Sequence, residues 1–162
     1  MIILGIDPGY AIVGYGLIDS SRNNAVIDYG VITTPKEDSI AVRLKTIEDG
    51  LIYLIEKYKP EVLAIEELFY FKNQKTVIPV AEARGVIVLT CQKYIGKIFE
   101  YTPLQIKQAL TGIGRAEKAQ VQFMVKTILG LKSIPKPDDA ADALAVALCH
   151  SQTSPRLNIN QV

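Results

Sequence analysis

At 162 residues, 49% hydrophobic and 22% charged, the chain is sized for one globular domain with a sizeable core and no second one. A net charge of +1 excludes a strongly charged molecule as a whole, and the isolated Cys91 and Cys149 with a single histidine, His150, exclude a C-x-x-C redox pair and leave little for zinc. The opening MIILGI reaches Asp7 after six residues, short of a secretory apolar core or a membrane span, so a cytoplasmic protein is expected. Charge is nevertheless uneven: residues 1–70 carry 6 Lys/Arg against 11 Asp/Glu, and residues 71–162 carry 12 against 6. That asymmetry hints at a local basic surface in the second half.

Apolar runs and alternation predict strands near 2–8, 11–19 and 25–34, with DPGY and SSRNN supplying the turns of a three-stranded meander. Residues 38–59 place Ile40, Leu44, Ile47, Leu51, Leu54, Ile55 and Tyr58 at helical spacing before Pro60 ends the run. EVLAIEE at 61–67 reads as a buried strand, 77–96 as a helix apolar around much of its circumference, and KIFEYT at 97–102 as another strand. Further helices are expected near 103–111, 116–130 and 138–150. The order βββαβαβ followed by helices predicts an α/β fold, a mixed sheet with helices on its faces. The polar, aperiodic tail 151–162 is expected to be disordered.

Against this pattern some carboxylates stand where they are costly. Asp7 closes the apolar run MIILGI, and Glu66 closes VLAIE; an unpaired charge in a buried strand costs several kcal/mol unless something compensates it. Alternation puts Val62, Ala64 and Glu66 on one strand face and Glu67 on the other. In the last helix Asp138, Asp139 and Asp142 share a sector roughly 100° wide, with Leu144 and Leu148 on the far side, so one face packs while the other presents acid. Helical geometry alone does not choose between the 138/142 and 139/142 pairs. Several carboxylates from different elements, without a histidine cluster, favour a hard divalent cation, Mg²⁺ or Mn²⁺. A pair of such ions about 4 Å apart serves in-line displacement at phosphorus, which makes phosphodiester cleavage the expected chemistry.

LGIDPGYAIVGYGLID at 4–19, AIEELFYFKN at 64–73, ARGVI at 83–87, GIGRAEKAQVQFMV at 112–125 and DAADALAVALCH at 139–150 together resemble the RuvC family of Holliday-junction resolvases, in order and with similar gaps. The resemblance implies a ribonuclease-H-like nuclease domain over 1–150 that acts as a homodimer. It also implies paired, Mg²⁺-dependent nicks in two like-polarity strands of a four-way DNA junction, leaving 5′-phosphate and 3′-hydroxyl ends. The catalytic and metal-binding carboxylates it implies are Asp7, Glu66, Asp139 and Asp142, with two Mg²⁺ per site and Mn²⁺ as a substitute. Lys107 and Lys118 would sit beside the scissile phosphate and Phe69 would stack near the junction centre. Branch-migration proteins RuvA and RuvB are the partners it implies. The D-A-A-D match leaves Asp138 as an extra acid, for which the expected role is an N-cap behind Pro137, and Glu67 as a second extra. The helix over 77–96 fits burial on both sides and the family's dimer contact.

Three other readings compete. The DPGY segment also resembles the phosphate loop of actin-like sugar kinases, but such a kinase needs a second lobe for which 162 residues leave no room. A YqgF-like ribonuclease-H-like enzyme acting on RNA, and a junction-binding module that does not cut, are the other two.

Overall fold

The computed structural model describes residues 1–68, 77–153 and 161–162. Five strands form one sheet: β1 (Ile2–Asp7), β2 (Ile12–Asp19), β3 (Ala25–Thr33), β4 (Val62–Glu66) and β5 (Ile98–Tyr101), in the spatial order β3-β2-β1-β4-β5. The meander β1–β2–β3 is antiparallel, whereas β4 runs parallel to β1 and β5 parallel to β4. The central strand β1 therefore ends beside the end of β4, with Ile6 opposite Ile65. This is the mixed sheet the element order predicts.

Helices α1 (Ile40–Tyr58) and α2 (Val77–Tyr94) cover one face, and α3 (Pro103–Thr111), α4 (Lys118–Ile128) and α5 (Asp138–Gln152) cover the other. Local chemistry sets their ends. Ser39 accepts the Val42 N–H at the start of α1, and Lys59 in the left-handed region (φ 50°) before Pro60 closes it. Thr102 and Gln105 form a reciprocal capping box at α3, with Pro103 in the first turn and Gly112 (φ 72°) at its end.

Period-two alternation divides the core. Leu4, Ile6, Val13, Leu17, Leu63 and Ile65 face α1 and α2, where Ile47, Leu51, Ala83 and Ile87 close over them. The opposite face carries Ile3, Ile18, Val62, Ala64 and Tyr101 against α5. On that face the paired Gly5 and Gly16, with Gly14 opposite Asp7, leave no side chain between sheet and helix. A Cβ at Gly5 would lie 2.2 Å from the Ala143 carbonyl oxygen, and one at Gly14 would lie 2.1 Å from that of Asp139. Alanine-rich α5 can thus rest directly on the strands.

One expectation needs correction. Past its first turn α5 is buried around nearly its whole circumference, with Ala143 through Cys149 all buried, because α3 and α4 cover the side that the sheet does not. Its acidic character is confined to Asp138, Asp139 and Asp142. On α2, Ala83, Ile87, Thr90 and Cys91 are buried, while Ile78 and Leu89 are 70% and 56% exposed, so within one chain only one side of this helix packs. At the C-terminus, α5 continues to Gln152, and Gln161 bridges Phe99 while the Val162 N–H donates to the Ile98 carbonyl at 3.0 Å. Those partners lie on the outer edge of β5, and residues 154–160 of the tail expected to be disordered lie outside the described residues. Cys91 and Cys149 are buried free thiols, as their spacing suggests. Among the described residues no helix is long and apolar enough to cross a membrane.

Candidate active site

Parallel pairing places the carboxyl ends of β1 and β4 side by side, and alternation turns the last side chain of each toward the α5 face. Asp7 and Glu66 therefore point the same way from adjacent strands. The glycine face lets the first turns of α5 come down over them, which adds Asp142. A cleft of about 510 Å³ opens here, lined by Asp7, Glu66, Asp142, Lys107 and Lys118 above a floor that includes Ile106 and Val121. Asp139 does not line the cleft, although its backbone sits on Gly14, beside the Asp7 position.

The charges in this group act on one another. Burial, then the negative charges of Glu66, Asp142 and Asp139, raise the Asp7 carboxyl well above the usual carboxylate range; Lys118 pulls the other way. Burial first and Asp142 second push Glu66 up to about 7, against the opposing pull of Lys118 and Lys107. Asp142 is also raised, mainly by burial, although Lys118 donates to its Oδ2 at 2.7 Å. For Lys118, burial lowers the pKa, but the bond to Asp142 and the surrounding carboxylates outweigh it and the net shift is upward. All three carboxyls of the cleft are thus raised together despite the two lysines beside them.

Asp138 departs from its expected role. It occupies the first helical position rather than the cap, which is Pro137, and no side chain caps α5. Its Oδ1 accepts from Lys136 Nζ at 2.7 Å and its Oδ2 lies 3.9 Å from Lys118 Nζ. With helical dihedrals a carboxylate cannot fold back onto the orphan amides as a cap does, and two lysines offer a better partner. Glu67 is exposed and, because β4 ends at Glu66, its side chain lines the mouth of the cleft instead of the far sheet face. Its N–H extends the pairing to β5 by donating to the Tyr101 carbonyl at 2.9 Å.

Sequence reasoning did not find the glycine face or the apolar lining from α3 and α4. The glycines had a signal, since residues 5, 14 and 16 interrupt otherwise strong strands. The lining did not, because Ile106 and Val121 read as ordinary core positions. Phe69 lies outside the described residues.

The comparisons with known proteins agree on one family. The family model described as crossover junction endodeoxyribonuclease RuvC matches residues 3–150. The chain belongs to the RuvC family. A curated relative from Alkaliphilus oremlandii, the crossover junction endodeoxyribonuclease RuvC, is 56% identical over 154 residues, covering 94% of each chain. One of the same name from Caldicellulosiruptor saccharolyticus is 55% identical over 156 residues, covering 95% of this chain and 94% of that one. The solved RuvC of Thermus thermophilus superposes with a TM-score of 0.89 at 30% identity, covering 99% of this chain and 98% of that chain. The same protein in complex with a Holliday junction substrate gives a TM-score of 0.87 at 33% identity, covering 93% of each chain. RuvC structures share the ribonuclease-H-like resolvase fold expected here. A match over residues 3–150 sets aside both the kinase and the YqgF-like readings.

Proposed function

We propose that this protein is a structure-specific endodeoxyribonuclease that resolves four-way DNA junctions in recombination and repair, with Asp7, Glu66, Asp139 and Asp142 as its catalytic carboxylates. The observation that carries this reading is the convergence of Asp7, Glu66 and Asp142, far apart in sequence, with Lys107 and Lys118 in one cleft of a RuvC-family chain. The junction substrate is that of the Thermus thermophilus complex.

The donor set suits a hard divalent cation. Its ligating atoms are carboxylate oxygens, and burial and mutual repulsion raise Asp7, Glu66 and Asp142, a cost that added positive charge would relieve. Among the described residues no three acidic, histidine or cysteine side chains already stand close enough to hold a metal ion, and Lys118 engages one oxygen of Asp142. Asp7, Glu66, Asp139 and Asp142 would hold Mg²⁺, two ions per site, with Mn²⁺ as a substitute; such ions would supply Lewis-acid stabilisation of the phosphate and activation of water near neutral pH. Lys107 and Lys118 offer ammonium groups to a phosphate entering the cleft and would offset charge on its non-bridging oxygens during displacement. Ile106 and Val121 wall the cleft with apolar surface, which strengthens those interactions by excluding water.

Paired nicks require two such sites. The outward side of α2 supports a homodimer: Ile78, Ala81, Gly85 and Leu89 recur at helical spacing along an exposed stripe, and nothing within 4 Å of Gly85 blocks a close approach. The role of Phe69 at the junction centre and contact with RuvA and RuvB rest on the family resemblance. A cytoplasmic location belongs to the same reading, since four-way DNA is its substrate.

The test is cleavage of a synthetic four-way junction beside linear duplex controls, with and without Mg²⁺. Symmetric nicks on the junction alone, requiring Mg²⁺ and leaving ligatable ends, are expected. Asp139→Asn and Asp142→Asn should each retain junction binding and lose cleavage. Junction binding without cutting by the unaltered protein would instead favour the passive module, and equal cutting of duplex would mark a general nuclease.

A further inference from the structure

Arg43 has no place in the chemistry above, yet its charged side chain is buried, at 8% exposure. A guanidinium stays protonated, and a buried one is ordinarily matched by a carboxylate. Among the described residues no acidic side chain forms an ion pair with Arg43. Its Nε donates to Thr34 Oγ1 at 2.9 Å, its Nη2 lies 3.4 Å from the Thr34 carbonyl oxygen, and its guanidinium lies 4.4 Å from the centre of the Tyr10 ring. A hydroxyl, a carbonyl and an aromatic face therefore take the place of a counter-ion.

What those groups hold is the turn that leaves Asp7. β1 ends at Asp7 and β2 begins at Ile12, so residues 8–11 must reverse the chain within a few ångströms of the cleft, which Pro8 lines. The turn folds back tightly enough that a Cβ on Gly9 would lie 2.1 Å from the Ile12 carbonyl oxygen. Thr34, 6% exposed and next after β3, fastens it at two points: its Oγ1 donates to the Tyr10 carbonyl at 2.6 Å and its N–H to the Ala11 carbonyl at 3.0 Å. Arginine has donors only, so the Thr34 hydroxyl must accept from Arg43, and its one proton is then directed at Tyr10. The chain Arg43 N–H to Thr34 O–H to Tyr10 carbonyl has a single polarity. Tyr10 is gripped at its carbonyl by Thr34 and at its ring by Arg43.

We propose that Arg43 and Thr34 are positioning residues for the cleavage reaction, acting through the Tyr10 turn to hold the Asp7 carboxylate in its working place. The inference rests on the junction-cleaving function proposed above. Neither residue lines the cleft, so their loss should leave DNA binding alone and slow the chemical step. A displacement of about 1 Å at a reacting group costs up to roughly a hundredfold in rate.

The test measures single-turnover cleavage of a four-way junction in saturating Mg²⁺ and saturating protein, alongside junction affinity without Mg²⁺ and thermal melting. Thr34→Val keeps the shape of the side chain and removes the hydroxyl; Thr34→Ser keeps the hydroxyl. Thr34→Val is expected to cut about tenfold or more slowly at a temperature where it is fully folded, with affinity within about twofold of the unaltered protein, and Thr34→Ser to recover the rate. Arg43→Lys, which keeps charge but not the fork or the planar stack, should behave like Thr34→Val, whereas Tyr10→Phe should cut normally. A Thr34→Val protein that melts earlier but cuts at the ordinary rate overturns the proposal, as does an equal loss of binding and cutting, which would mark a DNA contact. Should Thr34→Val not fold, Arg43→Lys decides by the same criteria. If the unaltered protein does not cut the junction, it is the proposed function that fails.

Discussion

The two faces of the sheet are built from the same strands to opposite ends. Toward α1 and α2, β1 and β4 present Leu4, Ile6, Leu63 and Ile65, all fully buried in aliphatic contact. Toward α5 the same strands present Ile3, Gly5 and Asp7, and Val62, Ala64 and Glu66: apolar at the start, small in the middle and acidic at the end. A period of two lets one strand do both, since every second residue is free to serve a different face. The aliphatic face anchors strands whose other face carries carboxylates that burial and mutual repulsion make costly. Stability and chemistry are separated by one residue along the chain.

That division can be broken from either side. On the aliphatic face, Leu63→Ala removes a fully buried side chain and should cost roughly 2–5 kcal/mol of folding free energy by urea unfolding, while the fraction that remains folded cuts junctions at the ordinary rate. On the other face, Gly14→Ala drives a Cβ into the Asp139 backbone, which must shift because no flexible side chain can yield. A smaller stability loss of about 1–3 kcal/mol is expected, with a cleavage defect of roughly tenfold or more because the first turn of α5 moves relative to Asp7. If Leu63→Ala slowed cutting more than Gly14→Ala at matched folded fraction, the division would not hold.

Smaller effects sharpen its edges. Asp138→Asn should cut within about threefold of the unaltered protein in the junction assay, since Asp138 contributes exposed ion pairs to Lys136 and Lys118 and neither caps the helix nor lines the cleft. A complete loss of cutting would make it part of the centre. The far end of α5 supplies a pH effect. Burial lowers the pKa of His150 below its ordinary 6.5, and Nδ1 lies 2.7 Å from the Tyr101 hydroxyl. As the pH falls, the unfolded chain therefore takes up the proton first, so this group's contribution is complete above about pH 6.5 and is lost as pH falls through the lower folded value. Urea unfolding at pH 7.5 and pH 5.0 should show a larger acid-dependent loss in the unaltered protein than in His150→Asn; equal losses would contradict it.

Much of this was legible in the sequence because the informative signals are local. Periodicity and turn chemistry located the five strands and five α-helices of the described residues, and Asp7 and Glu66 stood out as acids ending apolar runs. Long-range placement was less legible. That Gly5, Gly14 and Gly16 stack on one face depends on strand pairing, which local pattern does not report. The burial of α5 depends on α3 and α4 folding back over it, so its helical wheel alone could not show how little of it meets solvent. For Asp138 the signal misled: Pro-Asp before an alanine-rich run reads as a cap, whereas the competing lysines are distant or on the other side of the proline. The Arg43–Thr34–Tyr10 chain joins three segments through polar contacts that leave no period behind.

The most direct test places both halves of the division in one residue. Asp7→Asn is nearly isosteric and removes only the charge, so melting at pH 8 without metal and single-turnover junction cleavage with Mg²⁺ read the two roles separately. Melting should rise, because a buried carboxylate held against Glu66, Asp142 and Asp139 is relieved, and cleavage should fall by about a thousandfold or more. A variant that cuts at an appreciable rate, or that melts below the unaltered protein, would contradict a site assembled at the strand ends from carboxylates that the fold itself disfavours.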